Sequence, residues 1–570
     1  MTTAAVSFVD ALYSGRLGRD LFRYPVQSAP DRAEGDAVVA ELTAFLRDRL
    51  DPDQVDLTGT LPEGFLDDLR ASGYLKLRLG MEIGGLDLSA YNAFRAIEHA
   101  AGYCMPAGQM LAIQAGVGAP ALFPALPPGP LREFVAKQLA DGAVSGFGLT
   151  EPAGQNNAWP GTTATRSADG SVYVLRGEKV FTGHGPVANL LPIAATEHTE
   201  DGRRLCICFV DTSAAGFEVT SRIEFTGSRG LPNGALRFDG VEVPAEYVVR
   251  SDPEDARFPD RMASAVLIGQ LYFTAAPAVA IAKLCRRWSG EFVTRRRING
   301  RALSEYDEIQ RILGETLAEV YAMESVAQWS LLGSGPEERW FERLTAKNLA
   351  VRTCWRIVDR TVSLYGAEGI ETLPSKLRRG AVPVPLERRL RDARGLRIAG
   401  NVDFQLDSQA ARRLLTRFAT SAEDESGALA RGLGAEHAEH TDEDRLSGAN
   451  AAHLAAVREQ VLRFHEVCRE LTRSHPRQED LFEQEHTVIL LGRVAAELFA
   501  MYAVLARAGT EQSGDGGEQD GQRLADVYCT SARHRLADHW RRLGMVTEPD
   551  YAGISTRWLA EGLPRLRSEA

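Results

Sequence analysis

The spacing of hydrophobic residues changes along the chain, and each change marks a different kind of structure. From about residue 36 to 145, apolar side chains recur every three or four positions, as in AVVAELTAFLRDRL and LREFVAKQLADG, with Gly and Pro at the breaks. This spacing predicts helices. From 146 to about 250, short β-branched runs are separated by turn signals such as Ala-Asp-Gly and Glu-Asp-Gly. This second pattern predicts strands joined by hairpins.

Helical spacing returns after the β segment. SAVLIGQLYFTAAPAVAIAKLCRRW and QRILGETLAEVYAMESVAQWSLL predict the long helices of a bundle. Residues 420–450 are acidic and poor in large apolar side chains, which is typical of a solvated linker, and more amphipathic helices follow. We therefore expect an α+β fold, mainly α, in four segments: an N-terminal helical domain (1–145), a central β domain (146–255), a C-terminal helical bundle (256–416), and an acidic linker with a helical extension (417–570).

Composition narrows the function classes. The 570 residues have room for about three or four domains of ~150 residues. The net charge of -12 argues against a nucleic-acid partner, which needs a concentrated basic surface. The first residues lack a secretory signal pattern, and no uninterrupted apolar run reaches ~18 residues, so we expect a cytoplasmic protein without membrane contact. Seven scattered cysteines predict reduced thiols.

Several common chemical motifs do not occur in the sequence. There is no phosphate-binding P-loop, no G-x-G-x-x-G after a strand, no nucleophile elbow and no zinc-type cysteine–histidine spacing. We therefore expect no metal, and any dinucleotide is expected to bind without a Rossmann fold.

Six short motifs give a more specific indication. They are GFGLTEPAG (146–154), GEKVFTGHGPVAN (177–189), GSRGLPNGALRFDGVEVP (227–244), TRRRING (294–300), LYGAEG (364–369) and RDAR (391–394). In sequence and order they resemble the acyl-CoA dehydrogenase family of flavoproteins, over about residues 60 to 415. The C-terminal helices resemble the extension of the very-long-chain branch. The resemblance implies FAD as the cofactor, held between the β domain and the bundle.

The resemblance also assigns cofactor contacts to matching positions. Leu149 and Thr150 stand in the Leu-Thr-Glu-Pro loop that contacts the flavin ring, with Phe147 beside them, and Phe181 replaces the aromatic residue that packs on the ring. The family's usual Ile-Thr-Asn is replaced by Thr182, Gly183 and His184.

The pyrophosphate of FAD has its own expected contacts. By resemblance it is bound across a dimer interface by Arg296 and by a loop framed by Gly366 and Gly369. The alternative for the arginines at 295–297 is a basic helix end that faces water. A further flavin contact falls on Asn401 or Val402, where the family has a threonine.

The catalytic base is missing from both positions where the family carries it. Desaturating an acyl thioester removes an α-proton, so a carboxylate must lie near the α-carbon. In most members this is a glutamate after Arg-Asp-Ala-Arg, and counting from Arg391 places Gly400 there, or Ala399 with a one-residue gap. In a minority branch the glutamate comes from an early bundle helix, where this chain has Gln270. Two replacements are conceivable, Asp403 and His184.

The substrate side departs from the family as well. The serine and aspartate that help to seat the thioester are replaced by Gln155, Asn156 and Asn157. Three hypotheses remain open. The first is an FAD-dependent oxidoreductase of acyl thioesters, on CoA or a carrier protein, that passes electrons to an electron-transfer flavoprotein or to oxygen. The second is a flavin-dependent monooxygenase or N-oxygenase. The third is a non-catalytic partner subunit, so the assembly is a homodimer or a heteromer with a paralogue.

Overall fold

The computed structural model describes residues 7–19, 22–154, 157–332, 339–420, 442–511, 517–544 and 549–561. Its N-terminal helices are α1 (Phe8–Ser14), α2 (Ala29–Arg49), α3 (Pro52–Thr58), α4 (Phe65–Ser72), α5 (Ala90–Tyr103), α6 (Met105–Gly116), α7 (Ala119–Leu122) and α8 (Pro130–Ala140). Polar caps start several of them: the side chain of Ser28 accepts from the third residue of α2, and Ser89 does the same for α5. Every residue of α6 is buried, which makes it the central helix of this part.

The β domain is one seven-stranded sheet. Its strands are β1 (Thr163–Arg166), β2 (Val172–Gly183), β3 (Leu190–Thr199), β4 (Gly202–Asp211), β5 (Phe217–Arg222), β6 (Asn233–Pro244) and β7 (Val248–Arg250), in the spatial order β5-β6-β2-β1-β3-β4-β7. All neighbours are antiparallel except β1 and β3. The two predicted turns join β1 to β2 and β3 to β4, so both hairpins are confirmed.

The C-terminal bundle contains the longest predicted helices. Its elements are α9 (Asp260–Gln270), a π-helical turn (Leu271–Ala275), α10 (Ala276–Arg295), the short strands β8 (Arg297–Ile298) and β9 (Arg301–Ala302), α11 (Asp307–Leu331), α12 (Trp340–Tyr365), α13 (Ala367–Ile370), α14 (Leu373–Arg378), α15 (Leu386–Leu396) and α16 (Asp403–Thr420). Prediction and structure agree here in type and position, because the apolar stripe of each long helix is unbroken.

The extension adds α17 (Gly448–Ser474), α18 (Gln478–Phe482), α19 (Glu485–Thr510), α20 (Gly517–Leu543) and α21 (Tyr551–Glu561). Helix α19 is buried among the others, whereas every α21 side chain described is exposed. Most of the predicted linker, residues 421–441, lies outside the described part of the chain. The remainder of the predicted linker is already structured, since α17 begins at Gly448.

Helix α1 departs from the predicted N-terminal domain. The ring of Phe8 lies 5.5 Å from that of Phe499 and 5.3 Å from that of Tyr502, both in α19. Glu342 of α12 accepts hydrogen bonds from the Ser7 hydroxyl at 2.5 Å and from the Phe8 amide at 2.8 Å. The first helix therefore packs with the bundle and the extension, an arrangement that sequence spacing does not encode.

Among the residues that the structure describes, two apolar helical stretches are long enough to cross a membrane, residues 260–295 and α19. In the structure they are 72% and 83% buried over their most apolar windows, which is how core helices of a folded protein behave. All seven cysteines are buried and unpaired.

Candidate active site

A β-bulge presents Phe181 at the surface of the β domain. The register of β2 against β6 shifts between Lys179 and Thr182, so one extra residue is accommodated on β2. Phe181 adopts a φ of 57° and is 56% exposed, with the ring of Phe225 6.1 Å away. Such a conformation is unusual for an aromatic residue, and an exposed flat ring is available for stacking.

The predicted flavin loop is fixed to β2 by a buried ion pair. The Val180 amide donates to the Thr150 carbonyl at 2.9 Å, and the Lys179 ammonium donates to the Leu149 carbonyl at 3.2 Å. The same ammonium lies 2.7 Å from Glu151, whose carboxylate also accepts from the Gly161 and Thr162 amides. Burial lowers the pKa of Lys179 although Glu151 opposes it. The pair therefore holds the loop in place.

His184 is not suited to act as a base. Its imidazole is buried, and Nδ1 donates to the Ser145 carbonyl at 2.8 Å. Burial lowers its pKa to about 4, so the ring is neutral at pH 7 and a weak proton acceptor. The neighbouring Thr182 is also buried, and neither Thr182 Oγ1 nor His184 Nε2 has a hydrogen-bond partner among the described residues.

Helix α6 joins this end of the β domain to the start of the bundle. A Cβ on Gly183 would lie 2.7 Å from the Ile113 side chain, and one turn further along α6 the backbone of Gly116 touches that of Gly269 in α9. A Cβ on Gly269 would overlap the Gly116 carbonyl oxygen. The π-helical turn follows directly at Leu271, and such turns often occur at functional sites.

The two positions that the resemblance assigns to the family's base, Gly400 and Gln270, are neighbours in space. A Cβ built on Gly400 would lie 3.5 Å from Cγ of Gln270. Gly400 and Asn401 both have left-handed backbones, with φ of 63° and 76°. Oε1 of Gln270 is buried without a hydrogen-bond partner in the described part of the chain. Residues 399–402 are hereafter called the pocket loop. This loop faces α9, and neither Gly400 on the loop nor Gln270 on α9 carries an acid.

Asp403 does not replace the missing base. It begins α16, accepts from the Phe404 amide at 2.9 Å, and is ion-paired with Arg397, whose Nε lies 3.0 Å away. Burial alone would raise its pKa, but the hydrogen bonds and charge of Arg397 hold the pKa below the usual range. A carboxylate so stabilised is a weak proton acceptor.

Lys347 is a residue that the sequence analysis missed. Its side chain is fully buried in α12, and Nζ donates to the carbonyl of Asn401 in the pocket loop at 2.9 Å. Burial lowers its pKa to about 7, with Asp403 and Asp407 opposing that shift. A single lysine within the apolar stripe of TAKNLAV was the available signal.

The RDAR motif connects three parts of the molecule. Arg391 donates to both carboxylate oxygens of Asp56 in α3, at 3.0 and 2.7 Å, and to the Thr226 carbonyl at 2.8 Å. Asp392 accepts from the Ser228 amide at 2.8 Å. A Cβ on Gly227 would overlap the Arg391 carbonyl, so this contact requires glycine. The motif thus joins the N-terminal helices, the β domain and the bundle.

Two of the three predicted pyrophosphate contacts line one cavity. Arg296 and Gly366 line a space of about 870 Å³, with Ala367 and Glu368 beside them. Gly369 is buried, and a Cβ there would lie 2.7 Å from the Val362 carbonyl. Glu368 adds a negative charge to this loop, and its carboxylate lies 3.8 Å from Arg295.

The predicted substrate loop is only partly described. Asn157 is exposed, while Gln155 and Asn156 lie outside the described residues. Phe147 packs edge-on against Phe258 at 5.8 Å, which links the flavin loop to the approach to α9.

These features fit FAD. The exposed Phe181 ring offers a stacking surface, and buried polar atoms of Thr182 and Gln270 lack partners among the described residues. Arg296 and the glycine-framed loop offer an arginine and close backbone approach for a diphosphate. Phe181 would hold the ring, and Arg296 and the glycine-framed loop are suited to the phosphates.

Family models match the three domains in order. The N-terminal, middle and C-terminal domains of acyl-CoA dehydrogenase match residues 32–125, 146–241 and 272–415. Fold and site define a flavoprotein oxidoreductase of the helical–β–helical type. The chain belongs to the acyl-CoA dehydrogenase family, whose cofactor is FAD.

Relatives extend this match through the C-terminal helices. A Mycobacterium tuberculosis protein named "Probable acyl-CoA dehydrogenase FadE10" is 26% identical, covering 93% of this chain and 85% of its own. The mitochondrial very long-chain specific acyl-CoA dehydrogenase of Bos taurus is 22% identical over 94% of this chain and 84% of its own. An acyl-CoA dehydrogenase from Bacillus anthracis, crystallised with FAD, has a TM-score of 0.75 at 17% identity and covers 97% of this chain and 95% of its own.

Another solved structure matches a smaller share of the chain. Butyryl-CoA dehydrogenase from Megasphaera elsdenii has a TM-score of 0.58 at 20% identity and covers 68% of this chain but 99% of its own. The Bacillus anthracis structure covers 97% of the chain, so its match includes most of the helical extension.

Proposed function

We propose that the protein is an FAD-dependent oxidoreductase of acyl thioesters, on CoA or a carrier protein, that works without a carboxylate at either usual base position. Family membership supports the cofactor and the substrate class. The observation that carries the rest is the approach of Gly400 to Gln270, at 3.5 Å from a built Cβ to Cγ. Because Gly400 and Gln270 adjoin, a single pocket lacks the carboxylate at both of the usual base positions.

The chain's own groups would bind and orient the substrate. The pocket loop and α9 form facing walls near the acyl α-carbon, and the Gln270 amide can hydrogen-bond but cannot accept a proton at neutral pH. Phe181 and the Leu149–Thr150 loop would hold the flavin ring, while Arg296 would bind the diphosphate. When bound, FAD supplies the two-electron acceptor. Electrons would leave to an electron-transfer flavoprotein or to oxygen.

The test is an anaerobic titration of the purified protein with acyl-CoA esters of several chain lengths. We expect bound FAD, a change in its visible spectrum on adding thioester, and slow reduction. Gln270→Glu restores a carboxylate of similar size and should accelerate reduction by about 10²-fold or more. Gln270→Met, which has similar length but no acid, should not. Protein that takes up no FAD, or whose flavin spectrum is unchanged by every thioester, would contradict the proposal.

The vacant base positions also favour a second candidate, a flavin-dependent monooxygenase or N-oxygenase. Oxygen insertion needs no acceptor for an α-proton, so Gly400 and Gln270 would not impair it. Oxygen uptake by the reduced enzyme that rises with an amine substrate, but not with a thioester, would favour this candidate.

A further inference from the structure

We propose that the C-terminal extension positions the pocket loop through Arg493 and Asp407. The inference rests on the proposed function in one respect only, that the pocket loop is a wall of the acyl site. The chain of contacts runs from α19 of the extension to α16, whose first residue directly follows the pocket loop.

The start of α16 is held by a shared amide. Nδ2 of Asn348 in α12 donates to the backbone carbonyl of Asp403 at 2.9 Å and to Oδ1 of Asp407 at 2.5 Å. Both Asn348 and Asp407 are 3% exposed. Any displacement of the Asp407 carboxylate therefore disturbs the donor that also binds the first turn of α16.

The extension holds the other oxygen of this carboxylate. Nε of Arg493 in α19 donates to Oδ2 of Asp407 at 2.9 Å, and Arg352 of the bundle lies 3.3 Å from the same oxygen. At the adjacent Gly492, a Cβ would overlap the Asp407 carbonyl oxygen. Helix α19 thus contacts α16 by side chain and backbone, about one helical turn from the pocket loop.

Electrostatics makes Arg493 important at this contact. Burial raises the pKa of Asp407, and the charges of Arg352 and Arg493 oppose that rise. Without Arg493, the buried Asp407 carboxylate would have Arg352 as its remaining arginine partner. The carboxylate would then protonate or turn away from Asn348. Asn348 would then hold the Asp403 carbonyl less firmly.

A second contact holds the pocket loop from the same bundle helix. Lys347, the neighbour of Asn348 in α12, donates to the Asn401 carbonyl. Two consecutive residues of α12 therefore bind the loop and the helix that follows it. Arg493 of the extension binds Oδ2 of Asp407, whereas Asn348 of α12 binds Oδ1.

Hydrogen exchange in the purified full chain tests the proposal. The amides of Ile398 and Ala399 donate to the Gly395 carbonyl, and those of Gln405 and Leu406 donate to the Val402 carbonyl. Arg493→Gln should raise the exchange rate of these amides by about tenfold, because it removes a charged hydrogen bond. Exchange in the β domain should not change, and acyl-CoA affinity, read from the flavin spectrum, should weaken.

Arg412→Gln is the matched control. Arg412 also joins α16 to the extension, through the Phe482 carbonyl at 2.9 Å, but it lies farther from the pocket loop along α16. Equal exchange at 398–406 in the Arg493 and Arg412 variants would overturn the proposal. Arg493→Lys, which keeps the charge, should fall between wild type and Arg493→Gln, and it replaces the glutamine variant if that variant does not fold. A difference in exchange without any thioester response would support the positioning role while contradicting the proposed function.

Discussion

Gly116 and Gly269 bring two helices into direct backbone contact: a Cβ on Gly269 would overlap the carbonyl oxygen of Gly116. Gly269→Ala should therefore force α6 and α9 apart and lower the free energy of unfolding by roughly 1–3 kcal/mol. Gly314→Ala in α11 is the control, since a Cβ there meets no atom within 4 Å. It should instead stabilise by about 0.5–1 kcal/mol through helix propensity. Urea unfolding of both variants measures the difference, and equal effects would refute the close contact.

We expect that substitution of the buried Asp392 will lower the free energy of unfolding. It is 2% exposed, pairs with Arg389 at 3.4 Å and binds the Ser228 amide. Asp392→Asn leaves the buried Arg389 with the neutral carbonyls of Ala101 and Gly102 as acceptors and should cost roughly 1–3 kcal/mol. Asp239→Asn breaks the exposed pair with Arg176 and should cost at most about 1 kcal/mol. Thermal or urea unfolding compares them, and a small effect at Asp392 would mean that the RDAR contacts do not join the domains.

Glu342 should tolerate the loss of its charge. Burial raises its pKa, so the folded protein binds more protons than the unfolded chain between the usual carboxyl pKa and the raised value. Stability therefore falls as pH rises through that window. Glu342→Gln keeps an acceptor for Ser7 and Phe8 and should be at least as stable as the wild type at pH 7. Unlike the wild type, the variant should not become more stable at low pH through this group. Glu342→Ala leaves both donors unpaired and should lose about 1–3 kcal/mol or more. Unfolding at pH 5 and pH 7 tests both variants.

Lys347 gives a pH dependence of the opposite sense. Its pKa falls from the usual value near 10.5 to about 7, so the folded state binds fewer protons between those values. Stability from this group therefore rises with pH across the window. Lys347→Met lacks this rise, so its stability relative to wild type should decline by roughly 2–4 kcal/mol from pH 7 to pH 10. Urea unfolding of wild type and Lys347→Met at pH 7 and pH 10 measures this change, and a constant difference would contradict the prediction.

Phe181 should matter for the cofactor and little for folding. Since the ring is 56% exposed, Phe181→Ala should change the stability of the flavin-free protein by about 0.5 kcal/mol or less. The loss of a stacking surface should lower FAD retention during gel filtration. Met81→Ala, at a residue 79% exposed, should retain FAD like the wild type. Equal FAD retention in the two variants would remove Phe181 from the site.

Sequence patterns predicted the elements well and the contacts between distant segments poorly. Apolar spacing and turn residues located the long helices and both hairpins, because those signals are local. The motif counts placed Gly400, or Ala399 with a one-residue gap, and Gln270 at the positions of the base, and in the structure Gly400 lies next to Gln270. The docking of α1 on α19, the burial of His184 and the contact of Lys347 with Asn401 depend on residues far apart in sequence. Spacing carries no information about such contacts, so only the folded chain revealed them.

The buried cysteine thiols can report the local unfolding of each segment. A thiol reagent reaches a buried cysteine only when the surrounding structure opens, so the rate of labelling at each site measures the local opening free energy. The cysteines are spread over all four segments: Cys104 in the N-terminal helices, Cys206 and Cys208 in the β domain, Cys285 and Cys354 in the bundle, and Cys468 and Cys529 in the extension. Labelling of the unmodified protein, followed by mass spectrometry, would therefore give the order in which its segments unfold, with no engineered probe.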